Sequence, residues 1–341
     1  MPDTKTSARF KVVITDAEYK DFVQERKVLD KINADLVICQ CKSENEIIEA
    51  TKDADALLVQ YANINQNVIK SLKKCKVIVR YGIGVDTLDI QAATEHNIFV
   101  VNVQGYCYEE VSNHAITLAL ACIRKINLLD KAVKNGVWDF KIATPVFRLK
   151  NKNFGLIGYG NIGMRVAQKA QAFGFNVMAY DPYISESSLK KNNVQKTELE
   201  NLLKKSDVIS LHLPFTKDTK YIISEKELKL MKKTAFIVNT SRGGLIDEED
   251  LYQALNEKWI AGAGLDVLEE IPNNSDYKLL KLDNIVITPH IAFYSEDSMQ
   301  DLQRIAAEGV AQALKGEIPS FLVNKEVLKN RLSLNNPKQN N

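Results

Sequence analysis

The stretch FGLIGYGNIGMRVAQKAQAFGFNVMAYD, at residues 154–181, constrains the fold of this chain more than any other segment. It reads as an apolar strand, a G-x-G-x-x-G turn formed by Gly158, Gly160 and Gly163, a helix, and a second apolar strand. The first glycine permits a tight turn, the second lets the backbone approach a pyrophosphate, and the third lets helix and strand pack closely. Free amides at the start of the helix would then face the phosphate charge, so we expect a nucleotide here.

An acidic residue ends the second strand of this segment. Asp181 lies eighteen residues beyond Gly163, where a carboxylate can hydrogen-bond the ribose 2′-hydroxyl of a dinucleotide and repel a 2′-phosphate. Pro182 and Tyr183 follow, so no basic neighbour in the sequence neutralises such a phosphate. The pattern favours NAD over NADP, and an ordinary strand–helix turn without a ligand is the alternative.

Short β-rich runs alternate with helical patterns along almost the whole chain, which indicates α/β architecture with parallel sheets. Two series of strands predict two sheets and hence two domains. The candidate strands lie at 10–15, 35–40, 55–60, 76–80 and 98–102 in the first series, and at 154–158, 175–180, 207–214, 234–239, 261–267 and 284–290 in the second.

Three further segments lie outside these strands. Residues 109–136 carry apolar side chains at helical spacing on more than one face, which predicts one long, largely buried helix with Gly136 as its C-cap. A helical pattern at 298–316 has no sheet of its own after it, so we expect it to pack on the first domain. The polar residues at 331–341 are predicted to be a disordered tail.

The composition argues against several classes of protein. The 45 basic and 43 acidic residues nearly cancel, without long single-sign runs, which disfavours binding to nucleic acid or to an anionic membrane surface. The most apolar stretch, at 115–123, is far too short to span a bilayer, and the N-terminus lacks a signal-peptide core. The five scattered cysteines form neither a disulfide framework nor a metal site, so we expect a cytoplasmic protein without a metal.

Polar residues end three strands of the second series. These are Arg242 in NTSRGGLID, Asp266 in GAGLDV and His290 in NIVITPH. Open α/β sheets bind ligands at the carboxyl ends of their strands, and the planar guanidinium of an arginine suits a carboxylate. One shared pocket is therefore favoured over three unrelated loops, although a single histidine is more often structural than catalytic.

Several ordered motifs together resemble one family. They are RYGIGVDTLD, NVQGYCYEEVSNHA, GLIGYGNIG, HLPFTKDT, NTSRGGLIDEEDL, GAGLDVLEE and ITPHIAFYSEDS. From about residue 50 to 325 the chain is similar to the D-isomer-specific 2-hydroxyacid dehydrogenases, and its last motif is nearest to the C-terminal-binding-protein-like branch.

The resemblance implies an α/β protein with two Rossmann-like domains, in which an NAD-binding domain at 107–294 is inserted into a flavodoxin-like substrate domain. The substrate domain would comprise residues 1–106, completed by 295–330. NAD would be the cofactor, a small 2-oxo or 2-hydroxy acid the substrate, and the helix near 109–134 the interface of a homodimer. An NAD-sensing dimeric scaffold with little catalysis, like a corepressor of that branch, is the alternative.

The resemblance also implies roles for individual residues. Arg242 would hold the carboxylate and carbonyl of the substrate, and His290 would supply a proton as hydride arrives from the nicotinamide. Asp266 would lie near the nicotinamide amide. The substrate-binding positions are Arg80, Gly82, Ile83 and Gly84, and the cofactor-binding positions are Gly158, Gly160, Asn161, Ile162, Gly163, Asp181, Thr240, Ser241 and Asp266. For Arg80, a surface arginine at a strand end is an equally good interpretation.

One position departs from the family pattern. The family has a glutamate five residues after the aspartate of LDV, where it pairs with the histidine and raises its pKa, but Ile271 occupies that position here. Glu269 and Glu270 precede it. We predict that Glu270 turns toward His290, with Glu269 or no carboxylate at all as the alternatives.

Overall fold

The computed structural model describes residues 9–270, 272 and 276–329. The departure at Ile271 and the predicted tail at 331–341 lie outside these described residues. The chain divides into two compact units, which are described separately below. Residues 1–106 and 295–341 form the first unit, and residues 107–294 form the second.

The first unit is built on a five-stranded parallel sheet with the order β2-β1-β3-β4-β5, which is the flavodoxin-like order. Its strands are mostly apolar, as expected for a parallel sheet between layers of helices. The strands are Phe10–Asp16 (β1), Ala34–Ile38 (β2), Ala56–Val59 (β3), Val77–Arg80 (β4) and Phe99–Val101 (β5), and the helices between them are Val23–Leu29 (α1), Glu44–Thr51 (α2), Gln66–Ser71 (α3) and Ile90–Glu95 (α4).

The second unit contains a seven-stranded parallel sheet with the order β12-β11-β10-β9-β6-β7-β8. The order reverses at β6, which is the point where doubly wound sheets bind nucleotides. The strands are Asn153–Ile157 (β6), Asn176–Tyr180 (β7), Val194–Lys196 (β8), Val208–Leu211 (β9), Phe236–Asn239 (β10), Gly262–Leu265 (β11) and Ile285–Ile287 (β12). The helices are Tyr108–Arg124 (α5), Ile126–Lys134 (α6), Asn161–Ala172 (α7), Glu186–Lys190 (α8), Leu199–Lys205 (α9), Glu225–Leu230 (α10) and Glu248–Asn256 (α11). The prediction of two Rossmann-like α/β domains is confirmed, although β8 was not predicted.

The prediction of one continuous buried helix over 109–136 is wrong. Helix α5 ends at Arg124, and Lys125 adopts a left-handed conformation with φ of 53° before α6 begins. Helix α5 packs on β10 and β11, whereas α6 has no buried residue. Apolar spacing continues across the break because α6 has an apolar stripe of its own, so periodicity alone did not reveal the break.

The last helix, Glu296–Leu314 (α12), belongs to the first unit. Ser295 caps it, accepting a hydrogen bond from the Ser298 amide at 2.9 Å. The helix packs on α1, β3 and β4. Among residues 9–270, 272 and 276–329, no helix combines the length and apolar character that crossing a bilayer requires.

Candidate active site

The glycine turn after β6 is held closely against neighbouring backbone. Gly158 has φ of +93°, and a β-carbon there would clash with the carbonyl oxygen of His212. A β-carbon at Gly163 would meet the carbonyl oxygen of Gly158 in the same way. The turn therefore packs down onto β6 and the end of β9, with α7 starting directly above it.

The opposite side of the turn is open. A β-carbon at Gly160 would meet no described atom within 4 Å, and Gly160 itself caps α7 without a side chain. The first amides of a helix have no partner inside it, so those of Asn161, Ile162 and Gly163 are available to an anion. This combination of open space and available donors fits the pyrophosphate of a dinucleotide.

Asp181, directly after β7, lies beside this turn. Its Oδ2 accepts a hydrogen bond from the Tyr159 amide at 2.8 Å, and its Oδ1 accepts one from the Tyr183 amide at 2.9 Å. The carboxylate is thereby fixed next to the glycine turn and only partly buried. That position suits the ribose contact expected from the sequence.

The loop after β10 carries the next three predicted residues. The hydroxyl oxygen of Thr240 is buried and has no hydrogen-bond partner among the described residues, which fits a group that awaits a ligand. The Ser241 hydroxyl donates to the carbonyl of Leu211 at 2.8 Å. Arg242 is half-buried, and its Nη1 donates to the carbonyl of Ser241 at 2.8 Å. Gly243 has no room for a β-carbon because the backbone at Leu268 lies against it.

His290 lies just beyond β12, in an exposed position. Its φ is 52°, and its amide donates to the carbonyl of Asp266 at 2.8 Å. The ring contacts Phe293 edge to face, with 6.1 Å between centroids. Phe293 thus lies next to the His290 ring.

Asp266, at the end of β11, is buried. Its carboxylate accepts hydrogen bonds from the Thr288 hydroxyl and from the amides of Ile291 and Ala292, at 2.6, 2.9 and 2.9 Å. The Nε2 of His114, on α5, lies beside Oδ1 of Asp266, the oxygen that accepts from Thr288. It contacts the Thr288 hydroxyl at 2.8 Å. The expected contact of Asp266 with a nicotinamide stays a prediction.

The two glutamates after β11 lie in an acidic group with tyrosines. Glu269 accepts a hydrogen bond from the Tyr221 hydroxyl at 2.6 Å, which raises the pKa of Tyr221 to about 12. Burial raises the pKa of Glu248, whose carboxylate accepts hydrogen bonds from the Glu269 amide and the Tyr277 hydroxyl. Glu270 is exposed. Its charge also acts on Tyr277 and Glu248, and its expected approach to His290 stays a prediction.

In the first unit, Arg80 ends β4 and begins the second glycine loop. Its guanidinium lies directly over Gly82, which has φ of +133° and no space for a β-carbon. The loop is fixed by the Asn102 side-chain amide, which donates to the carbonyl of Ile83 at 2.7 Å. Burial raises the pKa of Tyr61, and the charge of Arg80 acts in the opposite sense. Arg80 is half-buried, and its contact with a substrate stays a prediction.

Two residues at the site had no predicted role. His114 was one of the three histidines that, unlike His290, had no distinguishing signal, and Thr288 was part of a quoted motif only. Both become visible through their contacts with Asp266. The signal in the sequence was the T-P-H spacing, which places Thr288 two residues before His290.

The chain is similar to known proteins over most of its length. The model of the D-isomer-specific 2-hydroxyacid dehydrogenase NAD-binding domain matches residues 116–292. A glyoxylate reductase of Korarchaeum cryptofilum is 39% identical over 295 residues, covering 85% of this chain and 88% of that protein. A hydroxypyruvate reductase of Thermotoga maritima is 38% identical over 311 residues, covering 90% and 98%.

A solved structure extends the likeness to the whole fold. The D-lactate dehydrogenase of Aquifex aeolicus, complexed with NAD and lactic acid, superimposes with a TM-score of 0.81 at 29% identity, covering 94% of this chain and 98% of that one. The family model, the curated relatives and the structure all indicate the same assignment. The chain belongs to the D-isomer-specific 2-hydroxyacid dehydrogenase family.

Proposed function

We propose that this protein transfers hydride between NAD(H) and a small D-2-hydroxy acid and 2-oxo acid pair. The observation that carries the proposal is the placement of Arg242 and His290 after two strands of the unit that also contains the glycine turn. The relatives named glyoxylate reductase and hydroxypyruvate reductase support a short substrate. Both names are those of enzymes, which supports catalysis over an NAD-sensing scaffold.

Binding of the dinucleotide is assigned to three places in the second unit. The amides of Asn161, Ile162 and Gly163 would hold the pyrophosphate, and Asp181 the ribose hydroxyls. Thr240 and Ser241, with Asp266 as predicted from the family, would lie toward the nicotinamide. When bound, this cofactor supplies or accepts the hydride.

The remaining chemistry belongs to side chains of the protein. In the direction of reduction, the carbonyl π bond breaks, its carbon gains the hydride and its oxygen gains a proton from His290. Arg242 would bind the carboxylate of the substrate and stabilise the charge that develops on the carbonyl oxygen. In oxidation, His290 takes the proton back.

The first unit would contribute the loop at residues 80–84 to the carboxylate of the substrate. Arg80 supplies a positive charge, and the backbone amides of Gly82, Ile83 and Gly84 supply donors. The close packing of the guanidinium on Gly82 supports this assignment because the cation and the donors lie together.

The protonation of His290 would be supported by Glu270. A carboxylate next to an imidazole favours its charged form and so raises its pKa. The engagement of Glu269 with Tyr221 supports Glu270 over Glu269. In a Glu270→Gln variant the pH–rate profile should shift its limb for His290 to lower pH, and an unchanged profile would remove Glu270 from the site.

We propose a homodimer in a reducing cytoplasm. Large apolar side chains are exposed on α6 and in the segment after it, above all Trp138 at 89% and Phe140 at 75%. Exposed apolar patches of this kind mark protein interfaces. The five free cysteines fit a reducing compartment. A Trp138→Ser, Phe140→Ser double variant should be a monomer by light scattering, and a dimer there would refute this interface.

The proposed activity is tested by NADH oxidation with glyoxylate, hydroxypyruvate and longer 2-oxo acids. Arg242→Ala and His290→Ala should each lower kcat/KM by about a thousandfold or more, because each removes a charge that acts in the transition state. Arg304→Ala is the matched control, since Arg304 pairs with Asp301 and Glu308 on the surface of α12. NADH binding without turnover of any acid would favour the scaffold.

A further inference from the structure

The loop that presents His290 is held by several hydrogen bonds to one buried residue, Asp266. Three successive amides, those of His290, Ile291 and Ala292, donate to the carbonyl, Oδ1 and Oδ2 of Asp266. The distances are 2.8, 2.9 and 2.9 Å, and the Asp266 side chain has no solvent exposure. A buried carboxylate accepting several backbone donors is a rigid attachment point.

In the remaining contacts, the hydrogen-bonding capacity of each group determines which partner donates and which accepts. A carboxylate only accepts, so the Thr288 hydroxyl donates its one proton to Asp266 at 2.6 Å. The hydroxyl must then accept from the ring of His114, whose Nε2 is 2.8 Å away. His114 therefore carries a proton on Nε2, and a directed chain of hydrogen bonds runs from His114 through Thr288 to Asp266.

His290 needs this anchoring because its backbone is in the left-handed region, with φ of 52°. Such a conformation costs a residue with a side chain about 1–3 kcal/mol, less for histidine than for branched residues, and persists only where its surroundings enforce it.

We propose that His114, acting through Thr288 and Asp266, is a positioning residue that holds the backbone of His290 and thereby aims its ring. The catalytic use of the His290 ring rests on the proposed function. The hydrogen-bond network itself does not depend on that function. His114 touches neither substrate nor cofactor in this proposal. Its effect is transmitted by the amides that Asp266 holds.

The test uses paired substitutions in the full-length protein. Thr288→Val removes the hydroxyl and Thr288→Ser keeps it, while His114→Leu removes the donor and His114→Gln keeps one. His96→Gln is the control, because His96 is an exposed histidine of the first unit whose Nδ1 contacts the carbonyl of Ala92. For each protein we would measure kcat, the NADH dissociation constant and the ¹⁵N shifts of the histidine rings, of which the chain has 4.

Thr288→Val and His114→Leu should lower kcat by roughly ten- to hundredfold, the size expected for a displaced catalytic group. The NADH dissociation constant should stay near the wild-type value, and Thr288→Ser and His114→Gln should recover most of the rate. The His290 ring signals should move in the two disruptive variants and not in the control. In the unsubstituted protein, the proton of the neutral His114 ring should be on Nε2.

Two results would overturn the inference. One is a His114 ring that carries its proton only on Nδ1, which needs no variant and no activity to establish. The other is a Thr288→Val protein whose His290 signals match those of the unsubstituted protein. If the unsubstituted protein turns over no 2-oxo acid, the proposed function fails, and the ring signals still decide the network.

Discussion

Two glycine loops follow strands in this protein, one in each unit, and they use glycine for different purposes. In the turn after β6, Gly158 is pressed against the backbone at His212, while the space above Gly160 is open. In the loop after β4, the space above Gly82 is filled by the guanidinium of Arg80. The first loop leaves room for a ligand's phosphates, and the second makes room for the protein's own cation.

This difference shows that the ligand group a glycine loop suits depends on the groups that lie next to its glycines. Open space over a helix N-terminus, where amides are available, suits a pyrophosphate. An arginine lying over backbone amides suits a carboxylate, because a cation and donors then converge on one anion.

Gly158→Ala should have the largest effect on the first loop. The added methyl combines a positive φ of +93° with a clash against backbone, so the free energy of unfolding should fall by about 4 kcal/mol. Urea denaturation measures this directly. Gly136→Ala is the control, since Gly136 has a similar φ of +82° but open surroundings, and it should lose only about 1 kcal/mol. Equal losses would show that the backbone contact with His212 is unimportant.

His212 should make the unit that contains the first loop less stable at acidic pH. The Nε2 of His212 contacts the hydroxyl of Ser210. Burial lowers the pKa of His212 from 6.5 to about 3, so below pH 6.5 the unfolded chain binds a proton that the folded chain does not. Stability is therefore present above pH 6.5 and is lost as the pH falls toward 3. Between pH 7 and pH 4.5 the loss should be about 3 kcal/mol.

Urea denaturation of the wild-type protein and His212→Asn at both pH values measures this contribution. The variant begins less stable but should lose about 3 kcal/mol less on acidification, because it lacks the titrating ring. If both proteins lose the same free energy, His212 does not titrate as its burial requires.

Gly82→Ala should affect the second loop and leave the first unchanged. The φ of +133° strains any residue with a side chain, at a cost of about 2 kcal/mol, and the methyl displaces the Arg80 guanidinium. KM for the 2-oxo acid should rise, while the NADH dissociation constant stays the same. A KM at the wild-type value would mean that Arg80 does not face the substrate.

Asp181→Ala should have the smallest effect, confined to the choice of cofactor. Loss of the carboxylate removes both a ribose acceptor and the repulsion of a 2′-phosphate, so the preference for NADH over NADPH should fall by about tenfold, or 1.4 kcal/mol. Fluorescence titration with each nucleotide checks this. Glu186→Ala, an exposed carboxylate on α8, is the control and should keep the preference.

Much of the fold could be predicted because parallel strands buried on both faces are near-continuous apolar runs. Strand β8 was missed because Val194–Lys196 has only three residues and one buried side chain. The break at Lys125 was missed because an apolar stripe continues on both sides of it. In each case, the segment is too short for its hydrophobic pattern to be distinguished from that of the neighbouring residues.

The residues of the candidate site also divide into those that a local sequence pattern predicted and those that it did not. Gly158, Asp181 and His290 were predicted because turn chemistry and strand ends leave a local pattern. The contact of His114 with Thr288 was not predicted, because 174 residues separate the two along the chain. The position of the Arg80 guanidinium likewise depends on how one side chain folds back over its own loop.

Local sequence patterns were enough to predict the two sheets, the glycine turn and the polar residues at the strand ends. These follow from periodicity and from conformational needs that act over a few residues. What lies over each glycine loop, and which buried groups hold the loop of His290, became apparent from the packed structure alone. Burial, charge and hydrogen bonding between distant residues arise only when the chain has packed, so no local pattern encodes them.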